Sequence, residues 1–392
     1  MKILYIDPFV FSDFLGGSQK SLLDIMDSMN NRNNKIILAT PGEGMLSRKA
    51  SEKNIDIKKF MLPGFINTRV SIFNKKYFNY FAALINILNL IIATLSIYNL
   101  IRKNKPDIIH SNQMLISISA GIASKVLKVP CLWHIRENPS KHISRFILKF
   151  YSFVGTKFSS KIIVNSAYTA SFFLDTEIMD KIDIVPIGIN LNKNSSISIQ
   201  NKKNTIKNIS IFGRIIPMKG HKILIESLNL LDIELDYKLS IYGNYESDND
   251  YYLSLKQLIE NFNLTSKIDF FGFISDITNA MAKSDLIISA SLEAESFGRT
   301  LIEGMAMERP IIATDIGAHP EIIDDGINGF LVKPGDCNML TKKIKMILND
   351  KQLGIKLGKN GKHKYDKYYT IDNYTNNIES IYSKLINRKD II

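Results

Sequence analysis

Residues 285–321 constrain the fold of this 392-residue chain more than any other stretch. Leu286–Ser289 is a short apolar run typical of a buried strand, and Gly298–Met307 carries apolar residues at helical spacing. A second strand is predicted at once afterwards, at Pro310–Thr314. The order strand, helix, strand within so few residues indicates a βαβ step, and the first connection of that step is rich in glutamate.

This connection has the composition expected of a nucleotide-sugar site. A helix N-terminus gathers free backbone N–H groups and positive partial charge, so the amides of residues 297–300 are suited to an anion. The carboxylates of Glu295 and Glu303 are suited to hydroxyl groups nearby. The alternative interpretation is that both glutamates serve only the electrostatics of the helix and a solvated surface.

Strands and helices alternate along both halves of the chain. This pattern predicts two doubly wound α/β domains with a cleft between them, because each such domain builds a mostly parallel sheet. A polar, low-complexity stretch near residue 200 is the predicted linker between the two domains. The sequence predicts an N-terminal domain at 1–190, a linker at 191–207 and a C-terminal domain at 208–360. A final helix at 361–392 is predicted to cross back to the first domain.

Charge is shared unevenly between the two halves. Residues 1–200 contain 25 Lys and Arg against 13 Asp and Glu, whereas residues 201–392 contain 25 of each kind. The excess predicts an anionic partner for the first half, such as a membrane surface or a phosphorylated lipid. Nucleic acid is disfavoured, because no zinc-ligand set, recognition helix or aromatic RNA-binding motif accompanies the charge.

Cysteine usage and the first residues favour a reducing cytoplasm. Cys131 and Cys337 are far apart in sequence, and they offer neither a disulfide framework nor a metal cluster. The N-terminal MKILYIDPFVF is a poor signal peptide and a good first strand, because Asp7 and Pro8 interrupt its apolar run. We therefore predict a cytoplasmic protein.

Residues 77–101 contain no charged side chain and are long enough to cross a bilayer. Their polar and small residues, however, recur at spacings of three and four and form one stripe on a helix. Several asparagines in a lone spanning helix would be costly. The pattern therefore favours a buried or interfacial helix over a spanning one.

Polar residues follow predicted strands in the first half. His110 and Asn112 come after one strand, and His134 and Arg136 come after the next. Strand ends of open α/β sheets face the ligand crevice, so these four side chains are expected to line one wall. Gly16 and Gly17 permit a close backbone approach before the first helix, although a simple capping turn explains them equally well.

With these residues in place, the chain resembles the retaining glycosyltransferases of family 4 and the related group-1 transferases, which have the GT-B fold. The resemblance is collinear over nearly the whole chain. Its marks are GGSQ at 16–19, PDIIHSN at 106–112, WHIRE at 133–137, GRIIPMKG at 213–220, the glutamates separated by seven residues and IATDIGAHPEII at 312–323.

The resemblance implies roles for single residues. Arg214 and Lys219 match the basic pair that holds the donor diphosphate, and these are the partners expected for linked phosphates. Glu303 matches the glutamate that binds the nucleotide ribose, and Glu295 the one at the donor sugar. His134 matches a histidine near that sugar, so Glu295 and His134 are the predicted catalytic residues.

Two further groups follow from the same resemblance. One is the helix start whose amides face the diphosphate: Gly298, Arg299 and Thr300. The other is the part of the first domain near the leaving phosphate and acceptor: Gly16, Gly17, Gln19, His110, Asn112 and Arg136. The chain departs from the family pattern at Asn112, where some members complete a His-x-His pair, and at Ala318, where a glycine is usual.

The sequence thus predicts a hexosyltransferase of class EC 2.4 that uses a nucleoside diphosphate sugar without metal or cofactor. The expected acceptor is a saccharide or a lipid-linked saccharide, and the expected place is the inner face of the cytoplasmic membrane, in bacterial surface polysaccharide or lipopolysaccharide assembly. Two alternatives stay open. One is a nucleotide-sugar 2-epimerase of the same architecture, and the other is a catalytically silent sugar-binding module.

Overall fold

The computed structural model describes residues 1–11, 15–64, 69–72, 75–139, 145–174, 176–190, 207–231, 236–245, 249–274 and 276–387. The chain divides into two compact units. Unit 1 comprises Met1–Pro186 with Tyr374–Ile392, and unit 2 comprises Ile187–Asn373. The linker predicted at 191–207 lies outside the described residues, except for Lys207, which begins a strand.

The described strands follow the chain in this order: β1 (Lys2–Ile6), β2 (Lys35–Thr40), β3 (Asp56–Lys59), β4 (Arg69–Ile72), β5 (Lys75–Phe78), β6 (Ile108–Asn112), β7 (Cys131–Ile135), β8 (Lys161–Val164), β9 (Ile182–Ile184), β10 (Lys207–Phe212), β11 (Tyr237–Tyr242), β12 (Ile268–Gly272), β13 (Leu286–Ser289), β14 (Ile311–Thr314) and β15 (Phe330–Val332). The described α-helices are α1 (Gly17–Asn31), α2 (Met45–Ser51), α3 (Tyr80–Asn104), α4 (Met114–Val126), α5 (Arg145–Phe158), α6 (Ala167–Ser171), α7 (His221–Asn229), α8 (Asp250–Asn261), α9 (Ile277–Lys283), α10 (Arg299–Ala306), α11 (His319–Ile322), α12 (Cys337–Asn349), α13 (Lys351–Tyr368) and α14 (Ile371–Asn387).

Unit 1 is built on a parallel sheet with the strand order β3-β2-β1-β6-β7-β8-β9. The order reverses between β1 and β6, which is the switch point of a doubly wound fold. Its core is aliphatic and aromatic, with Trp133 fully buried. The predicted Rossmann-like architecture of the first half is confirmed.

Unit 2 repeats the architecture with the order β12-β11-β10-β13-β14-β15, again parallel between neighbours. The predicted βαβ step is present as β13, α10 and β14. Gly304 lets α10 pack closely on the sheet, since a Cβ there would meet Cδ1 of Ile287 at 2.9 Å. The second Rossmann-like domain is therefore confirmed as well.

Two strands run further than the sequence suggested. The prediction ended these strands at Ile109 and Trp133, whereas β6 continues to Asn112 and β7 to Ile135. The physical reason is that the polar side chains in the last residues of β6 and β7 are buried and form hydrogen bonds inside unit 1. His110, Asn112 and His134 thus lie within strands rather than after them.

Helix α3 begins later than the charge-free stretch that predicted it. Residues 75–78 pair with 69–72 in an antiparallel hairpin that the sequence did not indicate. The helix then starts after Asn79, whose side chain accepts a hydrogen bond from the amide of Ala82 as an N-cap. Among the described helices, α3 is long and apolar enough to cross a membrane, and 22% of its most apolar window is buried in the fold.

The end of the chain returns to unit 1 later than expected. The prediction started the returning segment at residue 361, but α13 packs against α10 and α12 and belongs to unit 2. From Tyr374 onward, α14 belongs to unit 1. Its tyrosines Tyr374 and Tyr382 are fully buried there.

Candidate active site

An ion pair between Lys219 and Glu295 forms the centre of the candidate site in unit 2. Lys219 Nζ lies 2.7 Å from Glu295 Oε1, and about a fifth of each side chain is exposed (22% and 20%). The pair is therefore sheltered yet open to a ligand. These are the lysine and the sugar-proximal glutamate that the sequence assigned to one donor site.

The topology explains why residues 76 positions apart in sequence meet. Lys219 follows β10 and Glu295 follows β13, and these two strands are parallel neighbours. The turn after β10 approaches β13 so closely that a Cβ on Gly220 would lie 1.9 Å from the carbonyl oxygen of Ala290. The backbone amide of Leu292 also donates to the carbonyl of Met218 at 2.8 Å. Only glycine at 220 permits this approach.

The Glu295 carboxylate has further partners on its own side of the sheet. The Ser291 hydroxyl donates to Oε1, and His319 Nε2 lies 3.8 Å from the same oxygen. Burial raises the pKa of Glu295, but its charged and hydrogen-bonding partners, with Lys219 the strongest, bring the pKa below its usual value. The carboxylate is consequently ionised at neutral pH.

Gly317 holds the backbone of Glu295 in place. Its φ is +62°, and a Cβ would lie 2.6 Å from the carbonyl oxygen and 2.7 Å from the amide nitrogen of Glu295. The neighbouring amide of Ala318 donates to that carbonyl at 3.1 Å. The backbone after β14 therefore fixes the loop that carries the glutamate.

We expect Gly317→Ala to lower the turnover of the sugar transfer predicted from the sequence about 100-fold, because a displacement of about 1 Å at a reacting group has this effect. The clash is with backbone atoms, so the glutamate loop must move. Gly335→Ala is the matched control, since Gly335 also has positive φ (+81°) but nothing lies within 4 Å of its Cβ position. Equal turnover of the two variants, measured as nucleotide release, would contradict this role.

The helix α10 starts beside the ion pair. Gly298 precedes its first turn, and a Cβ there would meet Leu301 Cδ1 at 2.9 Å and His319 Cδ2 at 3.2 Å. Arg299 Nε donates to Glu303 Oε1 at 2.8 Å, and Glu303 is largely buried. Thr300 is half-buried in the same turn. The structure thus brings together Lys219, Glu295 and the first turn of α10, where free amides favour anions.

Arg214 is the other member of the predicted basic pair. It is exposed in the turn after β10, and its side chain makes no hydrogen bond or ion pair to a described residue. The backbone around it is tightly built, because a Cβ on Gly243 would meet the carbonyl oxygen of Gly213 at 1.8 Å. Its predicted contact with a diphosphate stays a prediction.

In unit 1 the two predicted histidines form a buried chain of polar contacts. His110 Nε2 lies 3.0 Å from His134 Nδ1, and His110 Nδ1 contacts the Tyr382 hydroxyl of α14. Tyr382 in turn donates to the Tyr5 hydroxyl at 3.0 Å. Burial lowers the pKa of both imidazoles well below the usual value, so both rings are neutral at pH 7. The predicted contact of His134 with a sugar stays a prediction.

The other two residues of the predicted wall form a second buried network. Asn112 donates from Nδ2 to the carboxylate of Asp7 and accepts from Arg136 Nε at 2.6 Å. Arg136 Nη2 donates to the Tyr374 hydroxyl at 2.9 Å. An amide thus bridges a buried carboxylate and a buried guanidinium. Asn112 and Arg136 therefore bind other groups of the protein, one of which is the Tyr374 hydroxyl of α14.

The glycine pair lies at the start of α1 as the sequence suggested. Gly16 is the N-cap and Gly17 the first helical residue. Gln19 is buried and donates from Nε2 to Asp7 Oδ1 at 3.2 Å and to the Phe9 carbonyl at 3.1 Å. Asp7 therefore ties the first turn of α1 to the end of β1.

Sequence reasoning missed several residues of these networks: Asp7, Ser291, His319, Tyr374 and Tyr382. The tyrosines carry no local signal, because their partners are more than 200 positions away. His319 was within reach of the sequence, since it falls inside the motif IATDIGAHPEII.

The comparisons with known proteins agree with this fold. Residues 15–193 match glycosyltransferase family 4, and residues 192–364 match the glycosyl transferases group 1. An uncharacterized glycosyltransferase, MJ1178 of Methanocaldococcus jannaschii, is 29% identical over 295 residues, which are 73% of this chain and 78% of that protein. The UDP-Gal:alpha-D-GlcNAc-diphosphoundecaprenol alpha-1,3-galactosyltransferase of Escherichia coli is 23% identical over 313 residues, 75% of this chain and 80% of that protein.

A solved structure supports the fold. The crystal structure of Anabaena Alr3699/HepE in complex with UDP matches with a TM-score of 0.80 at 22% identity, and the match covers 98% of this chain and 100% of that one. The two Rossmann-like units, each built on a parallel sheet, have the GT-B fold. Within that fold class, the chain belongs to the group 1, family 4 glycosyltransferases.

Proposed function

We propose that this enzyme moves a sugar from a nucleoside diphosphate sugar to an acceptor hydroxyl, with retention at the anomeric carbon and without metal. The observation that carries the proposal is the juxtaposition of Lys219, Glu295 and the first turn of α10. A cation and helix amides stabilise the charge that develops on a leaving diphosphate. A carboxylate beside them orients the hydroxyls of the donor sugar.

UDP is the first donor base to test. The Escherichia coli relative is named for UDP-Gal, and the Anabaena structure holds UDP. The same relative is named for an acceptor on diphosphoundecaprenol, and another relative, from Staphylococcus aureus, for capsular polysaccharide biosynthesis. These names support surface polysaccharide or lipopolysaccharide assembly and a lipid-linked acceptor.

The test is the transfer reaction followed by proton NMR of the sugar product. A product that keeps the axial or equatorial configuration of the donor supports the proposal, and an inverted product contradicts retention. Conversion of UDP-N-acetylglucosamine to its 2-epimer without an acceptor identifies an epimerase instead. Binding of UDP without any turnover identifies a silent module. Loss of transfer after treatment with EDTA, restored by Mg²⁺, contradicts metal independence.

The enzyme works at an anionic membrane surface, to which unit 1 attaches through the helices α3, α4 and α5. Helix α3 packs beside α4, and α4 packs beside α5. The three helices contain no Asp or Glu, and their basic residues are Arg102, Lys103, Lys125, Arg145, Lys149 and Lys157. A layer that is both cationic and free of acid suits anionic lipid headgroups.

The outer face of α3 is unusually apolar for a surface exposed to water. Large side chains that are at least half exposed follow one another along the helix: Tyr80, Phe81, Leu84, Ile87, Leu88, Ile91 and Leu95. Its other face is held in the fold, because Ala82, Asn89, Ala93, Ile97 and Ile101 are buried. On α5, Ile147 and Phe150 are 52% and 56% exposed. A helix held on one side lies along a membrane and does not span it.

We expect the double variant Leu84→Glu/Ile91→Glu to bind vesicles of phosphatidylglycerol and phosphatidylcholine at least about tenfold more weakly, because two apolar contacts are lost and two like charges are added. Co-sedimentation at low salt measures the effect. The matched control is Leu230→Glu/Leu253→Glu, which changes two side chains of unit 2 that are equally exposed (48% each). Absence of vesicle binding by the unmodified protein would contradict the membrane proposal.

A further inference from the structure

His319 is a fully buried residue of unit 2, and one of its two ring nitrogens forms a hydrogen bond with the backbone. Nδ1 lies 3.0 Å from the carbonyl oxygen of Thr314 at the end of β14. A carbonyl oxygen only accepts hydrogen bonds, so Nδ1 carries a proton in either charge state of the ring. The neutral ring therefore presents a lone pair at Nε2.

Nε2 of His319 is directed at the candidate active site. It lies 3.8 Å from Glu295 Oε1 and has no hydrogen-bond partner among the described residues. The Cδ2 edge of the ring lies against Gly298 at the start of α10. A lone pair facing a carboxylate is repelled, which agrees with a separation longer than a hydrogen bond.

Two charged side chains face this imidazole, each from a different loop. Glu295 follows β13 and favours the protonated ring, whereas Lys219 follows β10 and opposes it. The first turn of α10 adds positive partial charge. Burial is the largest influence on the pKa of His319 and lowers it. The ring is therefore neutral as long as Lys219 is paired with Glu295.

We infer that His319 is a positioning residue that takes up a proton and replaces Lys219 as the cationic partner of Glu295 when a donor diphosphate draws Lys219 away. The direction of this exchange rests on the proposed function, because it requires that Lys219 bind the diphosphate. The proton comes from solvent and adds to Nε2, and no other bond forms or breaks. Glu295 thereby stays ionised and oriented while the lysine serves the leaving group.

The exchange can first be tested without any donor. The chain contains six histidines, and His319→Asn identifies the His319 signals in a long-range nitrogen–proton NMR spectrum. We expect Lys219→Met to raise the pKa of His319 by about one pH unit or more, because a like charge is removed and the carboxylate is released to the ring. Glu295→Gln should lower it, and the double variant Lys219→Met/Glu295→Gln should lack most of the increase.

The partly exposed Lys219 and Glu295 tolerate these substitutions better than the buried histidine does. A His319 pKa that agrees within about 0.2 pH units in all four proteins would overturn the inference, since opposite charges at this distance shift a pKa by more. A ring protonated at Nε2 alone would overturn it as well.

Calorimetry with UDP tests the coupling to the donor. Titrations at pH 7 in two buffers of different ionisation enthalpy should reveal more proton uptake with the unmodified protein than with His319→Asn. The terminal phosphate of UDP exchanges protons as well, and its contribution cancels in the difference between the two proteins. Equal proton exchange in the two proteins overturns the inference. If UDP, GDP and ADP all fail to bind while the NMR result holds, the proposed function fails and the Lys219–Glu295–His319 relation stands.

Discussion

Replacing Glu295 by Gln is expected to lower kcat for sugar transfer about 10²–10³-fold, the size of effect seen when one preorganised electrostatic group is lost from an active site. The substitution keeps the shape of the side chain and an oxygen that accepts from Ser291. It removes the charge that pairs with Lys219 at 2.7 Å. Affinity for the free nucleoside diphosphate should not fall, because the loss concerns the sugar and Lys219 is released from its ion pair.

Glu293→Gln is the matched control for this prediction. Glu293 belongs to the same loop and is exposed. The Glu293→Gln substitution removes an equal charge two positions from Glu295, so any general effect of charge on the loop appears in both variants. Equal kcat values for the two variants, measured at saturating donor, would contradict a role for Glu295 at the sugar.

Replacing Arg136 by Met is expected to destabilise unit 1 by about 3–5 kcal/mol, since it removes a buried guanidinium from a network that also holds the Asp7 carboxylate and leaves the remaining buried polar groups uncompensated. Asn112 joins the guanidinium to the Asp7 carboxylate, and the Tyr374 hydroxyl holds its other edge. Thermal unfolding measures the effect, and a decrease in Tm of about 10 °C corresponds to it for a unit of this size.

The control for Arg136 is Arg32→Met, which also removes an arginine that binds α14. Arg32 Nη1 contacts Glu379 at 2.8 Å, but both side chains are 27% exposed, so the expected loss is below about 1 kcal/mol. The double variant Asp7→Asn/Arg136→Met should regain part of the stability of Arg136→Met, because no buried charge is then left alone. Similar Tm values for the two single variants would contradict the buried network.

The sequence predicted the part of unit 2 that carries the site, because its signals are local. Leu286–Ser289 has the predicted bounds, and α10 begins one residue after the predicted helix start. Lys219 and Glu295 meet because parallel neighbouring strands deliver their loops to the same edge. A pattern of strand ends is therefore enough to bring these two residues together.

The buried polar networks of unit 1 could not be predicted from the sequence, for a physical reason. Local order predicts polar residues at the ends of β6 and β7, but it does not predict the protein groups that these residues contact. Their partners Tyr374 and Tyr382 come from α14, and hydrogen bonds over such separations leave no periodicity to read. Burial of a polar side chain is decided by distant partners, so it emerges only from the fold.

The proposed sugar transfer is tested most directly by the turnover of nucleoside diphosphate sugars by the purified protein. UDP-, GDP- and ADP-hexoses are incubated with a membrane extract as acceptor, and released nucleotide and incorporated sugar are measured together. We expect that one base is preferred and that sugar incorporation equals nucleotide release. Glu295→Gln should lower both about 10²–10³-fold, and Glu293→Gln should retain them. Neither binding nor turnover of any of these donors, with the protein folded and acceptor membranes present, would contradict the proposed sugar transfer.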